Sequence, residues 1–433
     1  MKLTLQQLSL VSAVALICTS NAAVAAVPHT FSVDAPARAA EVNANFEHLD
    51  SRIIALESNE GVTGEVSVDC SADSQALINT KLQPNVTYQL TGVCDGPLEL
   101  PDLAGRYFFE GDATGSRDDG IDLPAGLSGG YLPTIEVFGP KSVRFENLTL
   151  SANAYADASD GVYVPVIAVS DSATVSLNNV SVTGGDSGLR AFVNGSMWVT
   201  DVDISDYNET GVLATDGGSV RTYGPISLTG KTGSNADYLE AIAALRNGSV
   251  FVGSDISVVA GTGTNNPDYI YSVSAGEGGS VRINASATVN LEGFVGAYRT
   301  GSVRVRGATI TNGGLEVGEG GVIRVDNVTQ SGGPIDAYRG GILRVNSSDL
   351  IATGSDYVSI WAGSIANFRE GTTVGDDSGT ATISVHAYSI LNLRDNTDLG
   401  GRDISCSSQE ALQFDPNPNG DAIDNVGTIS CIP

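Results

Sequence analysis

The chain has 433 residues, of which 50 are acidic and only 22 are lysine or arginine, so its formal net charge is −28. This strongly acidic balance argues against a partner that is nucleic acid or an anionic membrane. Beyond the amino terminus, no apolar run reaches the roughly 20 residues that a transmembrane helix needs, which predicts a protein without a transmembrane segment.

Residues 1–26 have the pattern of a secretory signal peptide. Lys2 precedes an apolar run from Leu8 to Cys18, and small residues follow up to Ala25 and Ala26, where we expect cleavage. The segment predicts export to the extracellular space or the cell surface, with the periplasm as the alternative.

Residues 27–65 are predicted to form a leader, an amphipathic helix and a linker. Apolar residues recur there at alternating intervals of four and three, the a/d spacing of a short coiled coil: Val42, Phe46, Leu49, Ile53 and Leu56. Two interpretations remain open, a helix that holds a homotrimer together through residues 42–56 and a helix that lies on the same chain. The segment from Ala40 to Phe46 resembles a leader found ahead of many exported bacterial repeat proteins.

Four cysteines follow the signal segment, and an even number in an exported chain indicates two disulfides. Three pairings are possible. The favoured one joins Cys70 to Cys94 and Cys406 to Cys431, because both bridges are then local and lie at the two ends of the repeats.

Residues 66–100 predict a strand, a short helix over Ser74–Leu82 and a second strand, an arrangement that would close the open end of a stack of strands. This stretch resembles the amino-terminal cap of bacterial right-handed parallel β-helix proteins. Residues 401–433 depart from the repeat and predict a carboxy-terminal cap.

Between these ends the chain repeats a motif of the type Gly-Ser-Val-x-Val. Its first residue falls at Gly195, Gly218, Gly248, Gly279, Gly301, Gly321 and Gly341, at intervals of 23, 30, 31, 22, 20 and 20 residues. Intervals of this size indicate stacked supersecondary units. We refer to this position, and to its equivalents in other repeats, as the glycine slot.

Within each repeat, the second and fourth residues after the glycine slot are apolar, which predicts a strand with one buried face. The sixth is often a residue that tolerates a tight corner: Asn147, Asn179, Asp201, Gly224, Gly307 and Asn327. Residues 101–400 therefore predict an all-β, right-handed parallel β-helix solenoid. The alternative, an antiparallel sandwich, would not repeat equivalent positions at these intervals.

From about residue 66 to the end, the chain resembles the pectate-lyase-like superfamily in architecture, although no catalytic signature of that superfamily is present. The resemblance implies a right-handed parallel β-helix.

The third residue after the glycine slot is predicted to face outward, and in four consecutive repeats it is an arginine: Arg282, Arg304, Arg324 and Arg344. Because stacked arginines repel one another, this column predicts a groove for an acidic polysaccharide or surface glycan. The alternative is that nearby carboxylates, such as Glu316, Glu319 and Asp326, neutralise the arginines. Trp198 occupies the same position and is a candidate for stacking on a sugar ring.

Two long intervals between repeats carry a recurring Asp-Tyr pair. Asp237 with Tyr238 and Asp268 with Tyr269 are candidate ligand-binding residues, since loops on a rigid scaffold commonly carry function. The alternative is that each tyrosine covers its own coil while the aspartate caps a turn.

Catalysis has weaker support in the sequence. Acidic residues cluster at Asp112, Asp118, Asp119 and Asp122, but without the spacing of a calcium loop, so no cofactor is predicted apart from a possible calcium ion. We therefore expect an exported protein that binds polysaccharide or mediates adhesion without catalysis. The alternatives are a polysaccharide lyase or glycoside hydrolase, and a purely structural surface rod.

Overall fold

The computed structural model describes residues 64–127, 130–155, 163–232, 239–261, 270–352, 358–376, 382–386, 388–394, 396–407, 412–415 and 424–431. All of them belong to the second of two units into which the chain divides, Met1–Gly61 and Val62–Pro433. The predicted signal segment, the helix over residues 42–56, and Asp237, Tyr238, Asp268 and Tyr269 lie outside the described residues.

The described part of the chain forms a parallel β-helix, as the repeat predicts. Successive coils stack so that every strand pairs in parallel with its equivalents in the coils before and after it, for example Val220 with Met197 and with Val250. Each coil contributes to three faces, which we number in the order in which the chain enters them. No antiparallel pairing occurs among the described strands, which excludes the sandwich alternative.

The first face carries the strands that follow the glycine slot. Its strands are Gly64–Asp69, Val86–Thr91, Gly105–Glu110, Ser219–Thr222, Ser249–Val252, Val322–Asp326, Ile342–Asn346, Ile365–Arg369, Ile390–Arg394 and Leu412–Asp415. Five longer strands bend from the first face into the second: Lys141–Ala152, Thr174–Gly184, Ser196–Tyr207, Ser280–Glu292 and Ser302–Thr311.

The second and third faces complete each coil. The second face adds Val93–Asp95, Gly120–Asp122, Ile226–Gly230, Ile256–Val259, Thr329–Ser331, Asp349–Ala352 and Thr373–Asp376. The third has Leu98–Glu99, Ile135–Val137, Pro165–Val169, Ser187–Ala191, Thr210–Ala214, Leu239–Ala244, Ile270–Ala275, Phe294–Ala297, Leu315–Gly318, Ile335–Tyr338, Val358–Ile360 and Ile383–Val385. Two strands run over both: Asp398–Cys406 and Asp424–Cys431.

Inward-facing side chains of the three faces meet in one continuous apolar core. On the first face the core begins with a stack of three aromatic rings, in which Phe109 lies between Tyr88 and Phe145 with 5.3 Å between ring centroids on either side. Aliphatic residues continue the same column, for example Leu177 and Val199, both fully buried. Apolar burial along the whole stack is the main favourable contribution to this fold.

Close packing explains the repeated glycine. A Cβ atom added at Gly248 would lie 2.1 Å from the carbonyl oxygen of Ala214, which ends a third-face strand of the preceding coil. The equivalent distance is 2.2 Å between Gly301 and the carbonyl oxygen of Ala275. Any larger residue would therefore force two adjacent coils apart at this corner.

Five of the six residues predicted at the corner between the first and second faces have the backbone conformation of a tight corner. Asn147, Asn179, Asp201, Gly307 and Asn327 adopt positive φ angles between 52° and 66°. Gly224, the sixth predicted corner residue, has no positive φ.

The predicted disulfides join Cys70 to Cys94 and Cys406 to Cys431. The helix predicted over Ser74–Leu82 is a single turn, Ala76–Asn79, whose Leu77 is buried in the core. The described residues contain one further helical turn, the 3₁₀ turn Asn153–Tyr155. The strand Gly64–Asp69 pairs in parallel with Val86–Thr91, which in turn pairs with the next strand of the first face, so the parallel stacking extends into the predicted cap.

Among the described residues, no helix has the length and apolar character needed to cross a bilayer.

Candidate functional site

The four arginines predicted to form a column do so on the outer side of the first face. Arg282 pairs in register with Arg304, Arg304 with Arg324, and Arg324 with Arg344. Adjacent backbones in such a sheet are about 4.8 Å apart, so four positive charges are carried at short intervals along the stack. We call these four residues the arginine strip.

Asp326 neutralises the centre of the arginine strip. Its Oδ2 atom lies 3.2 Å from Nη2 of Arg304 and 3.0 Å from Nε of Arg324, and the Asn346 amide donates to Oδ1 at 2.6 Å. Burial alone would raise the pKa of Asp326, but the Asn346 and Arg324 hydrogen bonds, together with the two positive charges, hold it below its usual value. The carboxylate therefore remains ionised between the two guanidinium groups.

The two ends of the arginine strip differ from its centre. Arg282 and Arg344 are exposed, and no carboxylate of the described residues lies within ion-pair distance of either guanidinium. Arg282 instead lies 5.9 Å from the centre of the Phe251 ring, at the outer edge of a cation–π contact. Among the described residues, the four arginines thus have one carboxylate, which pairs with two of them, and this leaves the strip with a net positive charge on a strongly acidic protein.

Aromatic residues extend the first face beyond the arginine strip. The predicted residue Trp198 is 46% exposed and meets the still more exposed Tyr223 edge to face, with 6.5 Å between ring centroids. Arg221 and Phe251 separate Trp198 from Arg282 along the same column. Exposed rings and guanidinium groups therefore share one continuous outer surface.

Glu316 and Glu319 do not neutralise the arginine strip, contrary to the alternative considered from the sequence, because both belong to the third face and its corner. Glu319 pairs with Arg299 at 3.2 Å and with Arg339 at 3.0 Å. Of the three carboxylates considered, only Asp326 lies beside the strip.

The Glu319 pairs belong to a longer series of alternating charges at the corner that leads from the third face back to the first. Six successive coils contribute one residue each, and neighbours in the series form ion pairs at 3.0–3.7 Å: Asp216, Arg246, Glu277, Arg299, Glu319 and Arg339. All six have positive φ angles. We call this series the charge ladder.

Glu316 is held by three tyrosines on the outer side of the third face. Its Oε2 atom lies 2.8 Å from the hydroxyls of Tyr271 and Tyr298, and its Oε1 atom accepts a hydrogen bond from Tyr338 at 3.2 Å. Burial, together with the neighbouring Glu316 charge, raises the pKa of each of these phenols, so all three remain protonated at neutral pH.

Glycines of the third face make room for the tyrosine rings. A Cβ atom at Gly318 would lie 2.3 Å from Cε2 of Tyr338, and one at Gly296 would lie 2.7 Å from the hydroxyl of Tyr298. The Tyr338 ring therefore occupies space that a side chain on the adjacent strand would otherwise fill, and the Tyr298 ring does the same above its own strand. This packing restricts the movement of both rings.

Three residues of the predicted acidic cluster accept hydrogen bonds from nearby backbone amides and hydroxyls. Asp119 accepts hydrogen bonds from the backbone amides of Gly92 and Asp112, and Asp112 accepts from both the amide and the hydroxyl of Thr114. Asp122 accepts from the Ser151 hydroxyl. Within the described ranges, no group of three or more histidine, cysteine, aspartate or glutamate side chains has an arrangement that could hold a metal ion.

The tyrosine cluster and the charge ladder were not predicted from the sequence, yet a signal for both is present. Each charge-ladder residue stands two positions before a glycine slot, as Arg299 does before Gly301, and Tyr298 and Tyr338 stand three positions before one. Extending the repeat alignment backward from the glycine would have shown the charge ladder and two of the three tyrosines, but not Tyr271.

Comparisons of the chain with protein-family models, with curated proteins and with solved structures found no match.

Proposed function

We propose that this is an exported protein that binds a linear anionic polysaccharide or surface glycan along the arginine strip and does not cleave it. The observation that carries the proposal is the charge imbalance of the strip: of four arginines in register, Arg304 and Arg324 pair with Asp326, and Arg282 and Arg344 have no carboxylate of the described residues within ion-pair distance. A polymer with regularly spaced carboxylates or sulfates would supply the missing negative charge, and guanidinium groups bind both anions well.

Two further features support the proposal. Trp198 and Tyr223 offer exposed rings in continuity with the arginines, and amphipathic rings of this kind combine apolar contact with hydrogen bonding. The predicted signal segment, the two disulfides and the resemblance to the pectate-lyase-like superfamily are consistent with a secreted polysaccharide-binding protein.

Binding to polygalacturonate, alginate and a sulfated glycosaminoglycan, with dextran as the uncharged reference, tests the proposal. We expect the Arg282→Gln/Arg344→Gln double variant to raise the Kd for the anionic polymers by roughly tenfold, because it removes the two guanidinium groups without carboxylate partners. The salt dependence of binding should also weaken, since fewer counterions are displaced.

The matched control is Arg246→Gln/Arg339→Gln, which makes the same change in net charge at exposed residues of the charge ladder. An equal loss of affinity in this control would mean that overall charge alone attracts the polymer, and the strip would not be the site. Accumulation of unsaturated products, followed by ultraviolet absorbance, would instead favour a lyase. Failure of the wild-type protein to bind any anionic polymer would favour the purely structural role.

A further inference from the structure

A concave surface lies on the third face. It is a cleft of about 430 Å³, and its lining includes Tyr298, Tyr338, Glu240, Ser274 and Glu277. Because the arginine strip lies on the first face, the two surfaces are carried by different columns of strands. We call this one the tyrosine cleft.

An aromatic platform continues from the tyrosine cleft along the stack. Tyr298 and Tyr338 have ring centroids 6.5 Å apart, and Tyr338 stacks on Trp361 at 5.5 Å with an interplanar angle of 21°. Trp361 is 39% exposed. Rings that are held in place beforehand offer contact area to a ligand at a low cost in conformational entropy.

Hydrogen-bonding groups surround this platform. Glu316 lies among the three phenols, and the carboxyl group of Glu240 accepts a hydrogen bond from Ser274 at 2.6 Å. The hydroxyls of Tyr298 and Tyr338 are hydrogen-bonded to Glu316, which limits the movement of both rings. Aromatic rings beside fixed polar groups form the combination that recognises a sugar, whose ring has an apolar face and a rim of hydroxyls.

The charge around the tyrosine cleft differs from that of the arginine strip. Arg246, Arg299 and Glu319 line the rim, but each is already paired within the charge ladder, as is Glu277. Paired charges leave no excess of positive charge for a polyanion. This distinction favours an uncharged ligand.

We infer that the tyrosine cleft, together with Trp361, is a second glycan-binding site, which takes the uncharged sugar rings of a neutral oligosaccharide or polysaccharide chain. This inference does not depend on the function proposed for the arginine strip. A protein with both sites would bind a charged and an uncharged glycan on separate faces.

Affinity electrophoresis and calorimetry with the full chain test the site, with cello-, malto-, xylo- and manno-oligosaccharides and their parent polymers as probes. We expect the wild-type protein to bind at least one of these uncharged glycans. Trp361→Ala and Tyr338→Ala should each raise its Kd by roughly tenfold, as truncation of an aromatic anchor commonly does.

Tyr338→Phe separates stacking from folding, because it keeps the ring and removes only the hydroxyl that donates to Glu316. We expect a change in Kd of less than about threefold for this variant if the ring face carries the affinity. Phe138→Ala is the matched control, since Phe138 is 41% exposed and follows the third-face strand Ile135–Val137, several coils away from Trp361. Thermal unfolding of each variant checks that the fold is retained.

Two results would overturn the inference. One is failure of the wild-type protein to bind every uncharged glycan in the panel. The other is an equal loss of binding in Phe138→Ala and Trp361→Ala. Because the Arg282→Gln/Arg344→Gln variant is tested on anionic polymers and the Trp361→Ala variant on neutral ones, either site can fail while the other stands.

Discussion

The carbonyl oxygen of Ala244 lies 2.0 Å from the position that a Cβ atom would take on Gly279. The two residues belong to successive coils, and the amide of Gly279 also donates to the carbonyl of Gly276 at 2.9 Å. The repeated glycine of this chain is thus a point of close contact between coils, and this contact explains why glycine recurs at regular intervals in the sequence.

Gly279→Ala should therefore destabilise the stack. The carbonyl that blocks the new Cβ atom belongs to the backbone, so relief requires that two coils separate, and we expect a loss of about 1–3 kcal/mol in the free energy of unfolding. Urea unfolding followed by circular dichroism measures it. Gly375→Ala is the matched control, because the nearest atom to a Cβ there is 3.9 Å away and the backbone φ is not positive; a similar loss in both variants would contradict the steric explanation.

Asp326→Asn should lower stability at neutral pH and leave it unchanged in acid. The pKa of Asp326 is held below its usual value in the folded protein, so its contribution is present above the unfolded value of about 4 and is lost as the pH falls through the folded value. We expect a loss of about 1–3 kcal/mol at pH 7, measured by urea unfolding, that shrinks below about pH 4.

The control for this variant is Asp349→Asn, whose carboxylate accepts a hydrogen bond from the Thr373 hydroxyl and forms no ion pair with an arginine of the described residues. If the difference between wild type and Asp326→Asn were the same at pH 7 and at pH 3, the pairing with Arg304 and Arg324 would not be its source. On the proposed function, the same variant should bind anionic polymers more tightly, because two guanidinium groups lose their internal competitor.

Glu240→Gln should make the protein less sensitive to alkaline pH. Burial raises the pKa of Glu240, and the Ser274 hydrogen bond only partly offsets this effect. A raised carboxyl pKa means that the folded state binds the proton more tightly, so stability falls as the pH rises from about 4.5 through the folded value.

Glutamine keeps an oxygen that can accept from Ser274 and cannot ionise. We therefore expect Glu240→Gln to equal or exceed wild-type stability at pH 8 and to lose that advantage near pH 4, as measured by thermal unfolding across the pH range. Glu99→Gln, at an exposed position of the same face, is the control. A constant difference between Glu240→Gln and wild type at all pH values would refute the assigned role of burial.

Arg299→Glu should lower the melting temperature most at low salt. It would place a third negative charge between Glu277 and Glu319, which now lie 3.0 and 3.2 Å from the Arg299 guanidinium. Since all three side chains are solvent-exposed or partly so, the repulsion should be largely screened at roughly 1 M salt. Arg221→Glu, on the first face, controls for the charge reversal; a loss that is independent of salt would argue against the ladder.

Much of the first face was predictable because its buried, exposed and corner positions each have a recognisable residue type in the sequence. Buried residues alternate with exposed ones, and the glycine fixes where each alternation starts, so Arg282 and Arg304 could be aligned from the sequence and are paired in register. The loops with Asp237, Tyr238, Asp268 and Tyr269 lie outside the described residues, and their roles remain predictions.

The third face was harder to predict because the connections ahead of it vary in length. Tyr271 and Tyr298 occupy different positions of successive coils, since Tyr271 pairs in register with Phe294, and the Glu316 carboxylate of a later coil joins their hydroxyls. The sequence also does not predict that Asp326 lies beside the arginine strip whereas Glu319 lies at the preceding corner, because this depends on how sharply the chain turns between them. Such relationships follow from the stacking geometry once it is known.

The charge ladder has a consequence for how the chain assembles. The interior of each coil offers much the same small and aliphatic residues, so a coil displaced by one place would still bury an apolar strand. At the corner, however, the same displacement would set Arg246 against Arg299 or Glu277 against Glu319, like against like, in place of the present ion pairs. The alternation of charge along the ladder therefore disfavours the pairing of a coil with the wrong neighbour while the solenoid forms.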